Sequence, residues 1–273
     1  MFDKESLETL MQAEAISAAN SAAIDSIADQ GVIALPEDFK THDLESYMPK
    51  RRRARGTMTT VNDDDFAAYV KAHQEPGVAV FVDEKAMTAT AILNLGTPEK
   101  PGHTDNRAVL APPKTAAYAA LLAIANGQGQ SQKTIAEFLE DWQPAIECKG
   151  SNDNIPVPKA VAAMRKLTIE QLRKQTTEEQ SLSGSRSTFD SIMASSEEPI
   201  PVTVSFKCIP HVGMNERVFT MRLGIRTGDN APQPVLRIVK QEEHNEQMGK
   251  ELAERVRQKL NGITVAVGTY ASK

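Results

Sequence analysis

Along residues 3–29 the apolar side chains Leu7, Leu10, Met11, Ile16, Ala23, Ile24 and Ile27 recur every three or four positions. This is the period of an amphipathic helix. Ser and Asn fill the other face, and Gly31 is a reasonable stop. Residues 1–30 therefore read as an N-terminal helical arm, able to pack on its own domain or to grip a neighbouring subunit.

The period then shortens to two. After the short apolar run "GVIALP" and a loop to Pro49, residues Arg51–Val61 alternate and are rich in Thr and Val, as in a strand. "NDDDFAAYVKAH" predicts a short helix capped by Asn62 or Asp63, with Asp64 and Asp65 placed where the helix dipole favours negative charge. Val78, Val80 and Val82 alternate, as do Thr88, Thr90 and Ile92, and the polar "DEK" between them predicts a hairpin. "NRAVLAP" reads as a third strand. Three helices follow: an alanine-rich one ending near Gly127, one started at Ser131 or Gln130 with Ile135, Phe138, Leu139 and Trp142 on one face, and one from Pro158 carrying Val161, Met164, Leu167 and Leu172.

Residues 176–187 are polar and poor in apolar side chains, which predicts a linker or loop across 176–199. In 200–273, "PVTVSFKCIPHV", "RVFTMRLGIRT" and "PVLRIVKQE" read as three antiparallel strands, followed by a strongly amphipathic helix and the closing strand "GITVAVGTY". The expected fold is α+β, with mainly antiparallel sheets, packed amphipathic helices and the helical arm. Its regions are 1–30, an α+β region 31–175, the linker, and a β-rich region 200–273. Two stretches of three strands followed by a helix do not match in sequence, so no repeat is inferred.

Charge changes the picture in one place. The chain carries a net charge of −5, yet Lys50, Arg51, Arg52, Arg53 and Arg55 crowd together just ahead of Asp63–Asp65. On a strand, Arg51, Arg53 and Arg55 would share a face, able to pair phosphates bidentately or to meet carboxylates inside the fold or across a subunit boundary. Negative net charge and an aromatic content of 5% weigh toward the carboxylates, since surfaces that stack bases spend aromatic side chains.

Other chemistry is sparse. Cys148 and Cys208 lie far apart with no CxxC spacing, which argues against a disulfide scaffold or a thiolate zinc site. His42, His73, His103, His211 and His244 show no metal-ligand spacing, and only His103 and Asp105, in the loop "GHTDN", form a weak candidate site. Glu137 and Glu140 share a helix face, but the Glu-x-x-His partner of a carboxylate metal site is missing. "GQGQSQ" lacks the P-loop lysine, and there is no Gly-x-Ser-x-Gly elbow. The expectation is a protein with no catalytic residues, metal or other cofactor. No segment approaches the ~20 apolar residues of a membrane helix, and the first stretch lacks the apolar core of a secretory leader. Cytoplasmic location and no membrane partner are expected.

Three blocks, "RRRARGTMTTVNDDDFAAYVKAH", "AILNLGTPEKPGHTDNRAVLAPPKTAAYAALLAIANGQGQSQKTIAEFLEDW" and "PVTVSFKCIP…FTMRLGIRT", together resemble the DUF2303 family over nearly the whole chain. The resemblance implies a phage or prophage origin and, within a bacterial host, its cytoplasm. It implies no activity and carries no catalytic residues. The expected function is that of a non-enzymatic, self-associating accessory protein acting by binding, in host takeover or against host defence. Two alternatives stand beside it: a nucleic-acid-binding protein of phage recombination or replication, and a capsid-like shell protein. The expected partners are a second copy of the chain and a host protein or nucleic acid.

Overall fold

Alternation of apolar and polar residues builds two five-stranded sheets within residues 55–273. The structure, a computed structural model, describes residues 3–27, 45–150, 153–166, 199–226 and 233–271. The run "GVIALP", the linker at 176–187, and Leu167 and Leu172 lie outside the described residues.

The first sheet has the order β1-β4-β3-β2-β10. Its strands are β1 (Gly56–Thr60), β2 (Ala79–Asp83), β3 (Thr88–Ile92), β4 (Asn106–Leu110) and β10 (Thr264–Val267). The three central strands are antiparallel, while the edge strands β1 and β10 run parallel to β4 and β2. The hairpin between β2 and β3 forms as the sequence predicts. Asp83 Oδ1 accepts hydrogen bonds from the backbone N–H of Lys85 (2.9 Å) and Ala86 (3.0 Å), and Met87 takes the left-handed conformation that completes the turn. Val80, Val82, Ala89, Ala91, Ala108 and Leu110 form the buried face.

Two helices cover that face: α2 (Asp63–His73) on β1 and β4, and α6 (Gln241–Lys259) on β2, β3 and β10. Asn62 caps α2 as expected, its Oδ1 accepting from the N–H of Asp64 and Asp65. In α6, Gly249 faces the hairpin. A Cβ there would stand 2.4 Å from Glu84 Cβ, so only a residue without one lets helix and turn approach this closely.

The second sheet, β6-β5-β7-β8-β9, is antiparallel throughout. Its strands are β5 (Ile146–Lys149), β6 (Asn154–Ile155), β7 (Thr203–Cys208), β8 (Arg217–Arg226) and β9 (Gln233–Ile238). The helices α3 (Ala116–Ile124), α4 (Gln132–Asp141) and α5 (Val157–Lys166) supply the apolar partners of its inner face. Phe206 meets Phe138 and Trp142 at ring-centroid distances of 5.5 and 5.6 Å, and Tyr118 lies 5.2 Å from Phe219. The "GQGQ" stretch is the turn between α3 and α4, tied to β9 by the hydrogen bond from Gln130 N–H to the Pro234 carbonyl. One continuous apolar core joins both sheets. The fold is α+β with mostly antiparallel sheet. Each sheet draws on both sequence regions, since β5 and β6 come before the linker and β10 comes after it.

Residues 1–54 form a separate unit. Its described residues include α1 (Lys4–Ile27) and the 3-10 turn Glu45–Tyr47.

Cys148 and Cys208 point from the second sheet into the core, and burial pushes both thiols up to about 11. Each is therefore protonated and unreactive at neutral pH. In the native protein, titration with a thiol reagent at pH 8 should release almost no signal, and unfolding should release both cysteines at once. Because the folded values exceed the unfolded ones, their contribution to stability is complete below about pH 8.5 and is lost as pH rises toward 11. An alkaline fall in urea midpoint that disappears in the C148A/C208A variant checks this.

Candidate functional site

The basic run does not form the strand face that its alternation suggests. Strand β1 begins only at Gly56, the first residue that pairs with β4, so Arg51, Arg53 and Arg55 precede the ladder. Arg51 and Arg53 belong to the first unit and Arg55 opens the second. Within the first unit the Arg52 N–H donates to Glu45 Oε1 at 3.4 Å, so the backbone of the run folds back on the 3-10 turn. In the acidic triplet, Asp63 and Asp64 pair with cations of α6.

His103 and Asp105 are not brought into one site. His103 is exposed, while Asp105 is half-buried and accepts a hydrogen bond from Asn94 Nδ2 at 2.9 Å. The same Asn94 accepts the Asn106 N–H through its Oδ1 (3.0 Å) and, through its carbonyl, the N–H of Thr104, which is left-handed. Asn94 and Asp105 therefore close the turn into β4, and His103 takes no part in these bonds. Glu137 pairs with Lys133 at 3.6 Å and Glu140 with Arg165 at 2.6 Å. Among the described residues no three His, Cys, Asp or Glu side chains gather as a metal site would need.

Polar contacts concentrate around α6. Arg217, on β8, donates to Glu251 Oε2 (2.5 Å) and Gln247 Oε1 (3.1 Å), and Glu251 Oε1 also accepts the Asn215 N–H (2.6 Å). Arg255 donates to Asp63 at 2.6 Å, and Lys259 pairs with Asp64. Gly213 has a positive φ, and its missing side chain makes room for the Arg255 guanidinium, which lies 2.5 Å from where a Cβ would be. Partial burial works to raise the Asp63 carboxyl, but the hydrogen bond and charge of Arg255, with Lys259 nearby, hold it below its ordinary value. Burial, with Arg217 beside it, depresses the His244 imidazole. His211, which looks like one scattered histidine in the sequence, is buried. Its Nδ1 donates to the Pro112 carbonyl at 2.8 Å and locks the loop after β7 against the start of α3.

Besides an open recess of about 580 Å³ among the charged side chains of Glu84, Lys85, Glu242, Glu246 and Lys250, two hollows among the described residues compete as a ligand site. One, about 170 Å³, lies beside the Arg255–Asp63 pair among Leu110, Val212, Met214 and Leu252. It is smaller than the ~300 Å³ at which small-molecule pockets begin. The other, about 380 Å³, lies on the outward face of the second sheet and is lined by Arg222, Gly224, Arg226, Val235 and Arg237. These arginines were missed by sequence reading, although "RVFTMRLGIRT" and "PVLRIVKQE" place Arg222, Arg226 and Arg237 on the polar phase of their strands.

Fold and surface together define an α+β protein of two five-stranded sheets joined by one core, one sheet presenting arginines outward. The chain belongs to the family described as Uncharacterized conserved protein (DUF2303), which matches residues 4–270. No curated protein and no solved structure matches the chain. No helix among the described residues is long and apolar enough to cross a membrane.

The Asp63–Arg255 pair makes the fold sensitive to acid. Because the folded Asp63 value is depressed, its contribution is present above the unfolded value near 3.9 and is lost as pH falls through the folded one. His244 acts in the same direction at higher pH, below about 6.5. Replacing Asp63 by Asn should lower stability by about 1–3 kcal/mol at pH 7. Urea unfolding should show the gap between wild type and D63N closing below pH 4.

Proposed function

We propose that the protein is a non-enzymatic accessory protein of phage or prophage origin that self-associates and acts by binding a partner in the cytoplasm of its bacterial host. The observation that carries self-association is the surface of α1. Every described side chain of residues 3–18 is exposed, with Leu7, Leu10 and Met11 at 53%, 57% and 64%. A helix of this length is marginal in water without packing along one face. A second copy of the chain would supply that packing. Action by binding is supported by how the chemistry-bearing groups are spent: Asp63, Asp64, Glu137, Glu140 and Glu251 are all engaged in ion pairs within the fold. The phage or prophage origin is what resemblance to the DUF2303 family implies.

Multi-angle light scattering at micromolar concentration should give a mass above that of one chain, and deletion of residues 1–29 should reduce it while the circular dichroism melt of the remainder persists. A clean monomer for the full chain would overturn self-association.

A further inference from the structure

Strand register places cations in a line. Lys149 is opposite Thr203, Thr203 opposite Arg222, and Arg222 opposite Arg237, so one row crosses β5, β7, β8 and β9. All three charged members are exposed. At ~4.8 Å per strand the row spans about 14 Å from Lys149 to Arg237. Arg226 stands two positions beyond Gly224 on the same face, tethered to Gln128 Oε1 at 2.8 Å. Gly224 carries no side chain, which leaves the groove between the three arginines open.

Like charges directly opposite each other on neighbouring strands destabilise a sheet. Among the described residues no carboxylate pairs with Arg222, Arg237 or Lys149, whereas Lys207 on the same face is neutralised by Glu216 at 2.6 Å. An external anion would relieve the Arg222–Arg237 repulsion.

The remaining face selects among anions. Thr203, Ser205 and Thr220 offer hydroxyls, Val218 and Val235 are its apolar members, and Glu147, opposite Ser205 and one row away from the cations, is an exposed carboxylate on this face. Its phenylalanines, Phe206 and Phe219, point into the core. A protein partner would want aromatic or apolar anchors at the centre of the contact, and a single strand would want rings on which to stack bases. A line of guanidinium and ammonium groups flanked by hydroxyls instead fits a phosphodiester backbone, where such groups position the ligand without reading bases. A duplex strand carries one charge per ~3.4 Å of axis, so the row matches about four phosphates.

We propose that the outward face of the second sheet binds the phosphate backbone of double-stranded nucleic acid, with Arg222, Arg226, Arg237 and Lys149 as its contacts. This rests on the reading of a protein that acts by binding, and not on self-association, which light scattering tests separately. The acidic net charge confines the interaction to this patch and makes it salt-sensitive.

The test is fluorescence anisotropy of the full chain with a short labelled DNA duplex, from about 50 to 200 mM salt. Wild type should bind without sequence preference, with a log–log salt slope of about −3 to −4. The R222Q/R237Q variant should lose at least about tenfold in affinity and about two units of slope. Its melting temperature should equal or exceed that of wild type, because the like-charge pair is gone. The R51A/R53A/R55A variant should bind as wild type does. No binding by wild type at 50 mM salt would overturn the proposal and leave the row to an acidic protein segment. Undiminished binding by R222Q/R237Q would overturn the assignment of these residues, and tighter binding of a single strand with equal phosphate count would overturn the duplex.

Discussion

The register of β8 against β7 and β9 is the constraint on which the second sheet depends. With its strict alternation, β8 sends Phe219, Met221 and Leu223 into the core and Arg222 and Arg226 to solvent. A slip of one residue would exchange the two sets. It would expose three large apolar side chains, each worth about 1.5–3 kcal/mol when buried, and would bury guanidinium groups without partners, at a further cost of several kcal/mol each. The apolar pattern that stabilises the sheet therefore also fixes the spacing of charge on its outer surface. Core and basic face come from one choice of register.

Helix α6 links that sheet to the other. Its first turns approach β8 through His244, which lies 4.7 Å from Phe219, and through Glu251, which holds Arg217. Its last turns meet α2, where Arg255 and Lys259 pair with Asp63 and Asp64. The apolar side chains Met248, Leu252 and Val256 do most of the holding. The exposed Lys259 pair adds little, and the better buried Arg217–Glu251 and Arg255–Asp63 pairs fix how the helix is rotated. With α6 oriented this way, the chain can deliver β10 to the edge of the first sheet, parallel to β2. The acidic triplet complements the dipole of α2, and two of its members, Asp63 and Asp64, also receive the cations of α6.

Elements with a clear period were legible in the sequence. The hairpin of β2 and β3, strand β4, the Asn62 cap, the Ser131 cap of α4 and the alternation of β7 to β9 all follow from local rules. Strands β5 and β6 were not, because four and two residues are too few to show a period between two helices. The alternation of "RARGTMTTV" overstated β1, since pairing with β4 starts at Gly56, whatever the local propensity. The candidate site was harder to see because a row across a sheet joins residues that are distant in sequence. Lys149 and Arg237 come together only through pairings that cross the linker, and a search for charge runs finds the contiguous "KRRRAR" instead. The buried role of His211 also depends on a long-range contact, with Pro112.

Gly249 shows how tertiary fit can oppose local preference. Glycine inside a helix costs about 1 kcal/mol relative to alanine, so a redesign guided by propensity would replace it first. Here the Cβ of alanine would collide with Glu84, and the turn between β2 and β3 would have to retreat. Because β3 is the middle strand of the first sheet, that retreat would pass to its neighbours on both sides. Thermostabilisation by improving the helix and preservation of the sheet therefore pull in opposite directions at this position, and sequence drift there is confined to the residue already present.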